Sequence, residues 1–145
     1  MGALVNYVPP PSEIVITHDA GGYVNEYEYI VSKYIQEGRT IKINGLCSSA
    51  CTLVLTSPKA CVGRQATVAW HQAYDNNTHE SRPDVTRRMI EYLPAKLKSY
   101  LSDKIQADYT PATTLYYKDL VALGVPSCDE PKPAEPVPEI GRAHV

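Results

Sequence analysis

Ile41-Lys42-Ile43-Asn44-Gly45-Leu46-Cys47-Ser48-Ser49-Ala50-Cys51-Thr52-Leu53 is the stretch whose reading decides the fold. Its first part, with Thr40 before it, is a short β-branched run that reads as a strand, ended by Asn44-Gly45. Ser48 or Ser49 then opens a helix to about Thr56, which Pro58 closes. The same alternation continues outward. Upstream, Ile14-Val15-Ile16-Thr17 reads as a buried strand and His18-Asp19-Ala20-Gly21-Gly22 as a turn. Tyr23 to Glu37 reads as a helix with Val24, Tyr27, Val31, Tyr34 and Ile35 on one face, stopped by Gly38. Downstream, Ala66 to Trp70 reads as a strand with His71 at its carboxyl end, followed by the polar loop Asn76-Asn77-Thr78-His79. Ser81 with Asp84 resembles a capping box and starts a long helix to about Ala107. That helix carries Val85, Met89, Leu93, Leu97, Leu101 and Ile105 at helical spacing, with a kink expected at Pro94. Thr113 to Leu123 reads as a last helix capped by Gly124. Strand–helix–strand–helix–strand order argues an α/β fold with a mainly parallel sheet.

Composition sets the outer bounds. The chain has 145 residues, 43% of them apolar, enough for a single domain with a real core. Residues 1–12 end in Pro9-Pro10-Pro11 and read as an extended lead-in. Residues 13–128 read as the domain, and 129–145, rich in proline and charge, as a disordered tail. A net charge of -2 gives no electrostatic case for nucleic acid or an anionic membrane surface. The apolar runs are too short to span a bilayer, and Met1 to Val8 lacks the pattern of a secretory signal. Arg82, Arg87, Arg88, Lys96 and Lys98 are most simply a solvated helix face.

Gly21-Gly22, Ser49 and His71 all follow predicted strands, at the end of a parallel sheet where ligands bind. A serine hydroxyl becomes a useful nucleophile when a base takes its proton, and His71 is suited to that work. A helix start offers unpaired N–H groups and a positive dipole end to a developing oxyanion, and Gly21-Gly22 adds further unscreened donors. Asp19, Asp75, Asp84 and Asp108 are all open as the acid that would orient the imidazole. Each element also has a plain structural reading: Ser49 as an N-cap, His71 as a strand-end histidine, Gly21-Gly22 as a turn.

Together these residues resemble the Clp protease proteolytic subunit and its crotonase-fold relatives. The family carries a strand, a Gly-Gly turn and a helix, matched by Ile14–Thr17, Gly21-Gly22 and Tyr23–Glu37. It then has a strand, a glycine and a serine four residues later, matched by Ile41–Ile43, Gly45 and Ser49, and a His-Gln pair matched by His71-Gln72. The Cys-x-Ser-Ala-Cys variant is similar to a branch of Clp-like proteins found in bacteria and phages. The resemblance covers roughly residues 14–125. It implies a ClpP/crotonase-like single domain with flanking helices and a long handle-like helix over Asp84–Ala107. It implies a serine endopeptidase acting on a peptide or protein substrate without a cofactor or metal. Ser49 would be the nucleophile and His71 the acid/base. Asp108 would be the third member, by alignment on Leu123-Gly124-Val125. The N–H groups of Gly21 or Gly22 and of Ala50 would form the oxyanion hole. The handle-like helix leaves a homo-oligomer open. The short segment before Ile14 gives no support to the family's ring or to an unfoldase partner.

Cysteine chemistry offers rivals. Cys47 or Cys51 could be the nucleophile, and Cys47, Cys51, Cys61 and His71 could hold zinc, although their spacing is unlike structural zinc sites. A disulfide is the stronger expectation. Cys47 and Cys51 lie one turn apart, so Cys61 could meet either. A Cys47–Cys61 bridge would fasten the serine turn and point to a periplasmic or secreted protein, whereas reduced thiols would suit the cytoplasm. Two other readings of the fold are a catalytically inactive binding or assembly module, as in a phage particle or an envelope, and an acyl-CoA enzyme.

Overall fold

The computed structural model describes residues 12–105 and 112–129. Residues 1–11 of the lead-in, the tail beyond Asp129 and Asp108 lie outside the described residues. In chain order the elements are β1 (Ile14–Asp19), α1 (Val24–Gln36), β2 (Ile41–Ser48), a 3-10 helix (Ser49–Thr56), β3 (Ala60–Val62) and β4 (Thr67–Trp70). These are followed by α2 (Pro83–Ile90), α3 (Ala95–Lys104), β5 (Thr113–Tyr116) and α4 (Tyr117–Ala122). The sheet runs β1-β2-β4-β5, with β3 also paired to β2. All pairings are parallel except β4 with β5, as the α/β reading requires.

β2 is the axis of this sheet. Ile41, Ile43 and Cys47 are wholly buried, because a central parallel strand is covered on both faces. β1 follows it in parallel, with a register shift between Ile16 and His18. At that irregularity a Cβ on Gly45 would run into the Thr17 carbonyl, so only glycine allows the two strands to close. The core continues through Val68, Trp70, Leu97, Leu101 and Leu120. In α1, Val31 is buried and Val24, Tyr27 and Tyr34 pack against the core, whereas Ile35 is exposed rather than part of the apolar face.

Four expectations are corrected. The long helix is broken: α2 stops at Ile90 and α3 begins at Ala95, with Pro94 as its N-cap. Proline lacks an amide hydrogen and its ring collides with the preceding turn, so the kink becomes a break. Both halves keep their apolar positions, with Met89, Leu93, Leu97, Leu101 and Ile105 all buried. α2 is capped at Arg82 with Pro83 at its first turn, and the Arg82 guanidinium grips Asp84 at 3.0 and 3.2 Å in place of a Ser81 cap. Thr113–Tyr116 is a strand rather than the start of a helix: β-branched and aromatic residues pair with the otherwise open side of β4. β3, three residues long, was not expected at all.

The fourth correction is the cysteine pairing. Cys47 is joined to Cys51, and Cys61 to Cys128. Cys61 lies in β3, and Cys128 belongs to the stretch beside it, where Val62 N–H donates to the Pro126 carbonyl and Cys128 N–H to the Val62 carbonyl. Two disulfides are compatible with an oxidising compartment. Among the described residues no helix is long and apolar enough to cross a membrane.

Candidate active site

β1, β2 and β4 run the same way, so their carboxyl ends meet at one edge. Asp19 pairs with Cys47, and Ser48 with Ala69. Gly21, Ser49 and His71 lie one or two residues beyond those pairs. All three, with Gly22, line one open cleft of about 590 Å³. Its other walls include Tyr23, Val24, Tyr74, Asp75, Asn76, Val85 and Met89.

Ser49 stands in the left-handed region, with φ 57°. An L-residue other than glycine pays for that conformation, about 1–2 kcal/mol. The backbone turns sharply there from β2 into the 3-10 helix. The Cys47–Cys51 bond spans the turn with both cysteines out of solvent. This strained strand-to-helix turn sets Ser49 on the wall of the cleft. The Ser49 carbonyl accepts from Thr52 Oγ1 at 2.7 Å, which anchors the far side of the turn.

The Gly21-Gly22 turn sits directly in front. Gly21 has φ 92°, and a Cβ there would stand 2.6 Å from the Ser48 carbonyl oxygen, 2.7 Å from Ser49 Cβ and 3.0 Å from Ala50 N. The missing side chain therefore keeps open the space beside the serine and the Ala50 amide. Asp19 fixes this turn. Its Oδ1 accepts from Gly21 N–H at 2.9 Å and from Tyr27 Oη at 2.6 Å. Burial, and then the hydrogen bond to Asp19, push the Tyr27 phenol up to about 12. The Gly21 amide is thus taken up by Asp19.

His71 is half-buried. Its Nδ1 lies 2.8 Å from the Gln72 carbonyl oxygen, which can only accept, so Nδ1 carries the proton. In the neutral ring Nε2 is then the proton acceptor. Tyr74 lies beside the ring at 6.0 Å between centroids.

Three of the four carboxylates open to the sequence reading are committed elsewhere. Asp19 holds the glycine turn. Asp75 accepts from the backbone of Thr78 and Asn77, which, in that order, hold its carboxyl below the ordinary range. Asp84 pairs with Arg82. Arg88, on the cleft wall, is held by Glu28 and Asn25. The sulfurs of Cys47 and Cys51 are bonded to each other, which removes the thiolate that a cysteine nucleophile needs. With Cys61 also bridged, the zinc reading loses its thiolates as well.

The sequence reading missed the Asp19–Tyr27 pair. Its available signal was the Asp-x-Gly spacing, which is that of a carboxylate closing a turn on an amide two residues on.

No protein-family model matches the chain, and no curated protein matches it in sequence. Among solved structures the chain is similar to the ClpP protease catalytic domain from Plasmodium falciparum. The TM-score is 0.55 at 17% identity, over 85% of this chain and 72% of that one. It is also similar to a crystal structure described as that of an enzyme, with TM-score 0.56 at 10% identity over 83% of this chain and 79% of the other. At these identities the likeness is one of fold, and the fold is Clp-protease-like.

Proposed function

We propose that this Clp-protease-like chain is a serine endopeptidase, with Ser49 as nucleophile and His71 as general base and acid. The observation that carries the reading is Ser49 in a left-handed strand-to-helix turn, lining one cleft with His71 and the glycine turn. His71 Nε2 takes the Ser49 proton as Oγ attacks the peptide carbonyl carbon. The N–H groups of Gly22 and Ala50 hold the oxyanion of the tetrahedral intermediate. When it collapses, His71 returns the proton to the leaving amine, and water then hydrolyses the acyl-serine by the same groups in reverse. In the resting site the Gln72 carbonyl holds the Nδ1 proton. Asp108 is the carboxylate assigned to stabilise the imidazolium as it forms. No cofactor or metal is called for.

A fluorophosphonate probe tests this reading. Labelling should vanish in Ser49→Ala, and its rate should fall by about 10²–10⁴ in His71→Ala. Asp108→Asn should also lower it steeply. A folded protein that does not label would instead support the inactive binding or assembly module. Binding of CoA without dependence on Ser49 would support acyl-CoA chemistry.

A further inference from the structure

We propose that Thr86, acting through the Gln72–Ala73 peptide group, is a positioning residue that fixes the tautomer and direction of the His71 ring. The proposal rests on the serine-peptidase reading only for its effect on rate. Its structural content stands apart from that reading.

Thr86 lies in α2 and is 5% exposed; Gln72 is 3% exposed. Buried polar groups demand partners, and these two meet each other. Thr86 Oγ1 donates to Gln72 Oε1 at 2.6 Å and accepts from Ala73 N–H at 2.8 Å. A longer contact of 3.2 Å runs from the same hydroxyl to the Arg82 carbonyl. The hydroxyl has one proton, and the shorter bond to the amide oxygen takes it.

The peptide unit that joins Gln72 to Ala73 is therefore held at both edges. Its N–H points to Thr86. In a planar trans peptide the C=O points the opposite way, and this carbonyl is the one that accepts from His71 Nδ1. Holding the N–H edge aims the carbonyl edge, and the carbonyl keeps the imidazole proton on Nδ1. The Gln72 side chain, bonded to the same hydroxyl, opposes rotation of the peptide. Hydrogen bonds in such a chain also polarise one another, so the bond to Ala73 makes the carbonyl a better acceptor. α2, which also lends Val85, Arg88 and Met89 to the cleft wall, thus acts on the His71 ring through one peptide group.

The test is Thr86→Val, which keeps the shape and removes the hydroxyl, beside Thr86→Ser, which keeps it. Imidazole ¹⁵N shifts of His71, read where the ring is neutral, report the tautomer. The charged and titratable groups that share the cleft (Tyr23, Tyr74, Asp75, Arg82 and Arg88) are common to all the proteins compared. The wild-type ring should carry its proton on Nδ1. Thr86→Val should shift population toward Nε2–H and slow fluorophosphonate labelling about tenfold, the worth of one hydrogen bond, and Thr86→Ser should restore both. A wild-type ring protonated on Nε2 overturns the proposal whether or not the valine variant folds. So does a Thr86→Val protein with unchanged shifts and labelling. Wild type that never labels, but whose tautomer still responds to Thr86, overturns the peptidase reading and leaves the positioning role standing.

Discussion

Ser49 pays for its position. A left-handed serine costs about 1–2 kcal/mol, and alanine there would pay the same, whereas glycine would not. Glycine returns part of that gain as extra freedom in the unfolded chain. Ser49→Gly should therefore be more stable than Ser49→Ala by roughly 0.5–1 kcal/mol in a denaturant titration, with neither variant labelled. The reverse order would show that the turn is not left-handed in solution. The positions of Ser49, His71 and Gly21-Gly22 were legible in the sequence because each follows a β-branched or apolar run. The left-handed turn was not, since serine carries no local preference for positive φ. Nor was the hydrogen bond from His71 to its neighbour's carbonyl, which depends on how the chain leaves β4.

At the scale of elements, α1 and the end of β1 are tied through Tyr27 and Asp19. The Tyr27 phenol is raised above its ordinary value of 10, so the folded state keeps a proton that the unfolded chain loses first. Its contribution is complete below pH 10 and is lost as pH rises toward 12. Stability measured across that window should fall less steeply in Tyr27→Phe than in wild type; equal slopes would remove Tyr27 from the account. β2 and β4 were readable as apolar runs with turn signals, and the core positions of α2 and α3 as a periodic stripe. β3 was too short to show a period. Thr113–Tyr116 carries β-branched and aromatic residues, but over four positions that signal does not outweigh a helix, and the open side of β4 makes it a strand. The break at Pro94 needed a choice between kink and end that the residue alone does not make.

For the whole molecule, the two disulfides divide the work. Cys61–Cys128 closes a separation of 67 residues, and Cys47–Cys51 one of only 4. By loop-closure entropy the first is worth roughly 4 kcal/mol and the second about 2. Cys61→Ala with Cys128→Ala should therefore lower the urea midpoint more than Cys47→Ala with Cys51→Ala does. Only the latter pair should slow labelling. A larger loss of stability from the inner pair would mean that the serine turn, rather than the closed chain, carries the fold. The parallel sheet and the convergence at its carboxyl edge could be read in advance; the pairing of cysteines could not, because only the tertiary fold sets Cys128 beside β3, 67 residues from its partner.

The two bonds also differ in who can reach them. Cys61 and Cys128 are partly exposed, whereas Cys47 and Cys51 are 0% exposed. An oxidant added to the finished protein meets the outer pair first. The inner pair is reached where β2 is uncovered, before the fold closes or in a local opening. Material produced in a reducing host and aired afterwards would then regain its outer staple sooner than the bridge around its serine.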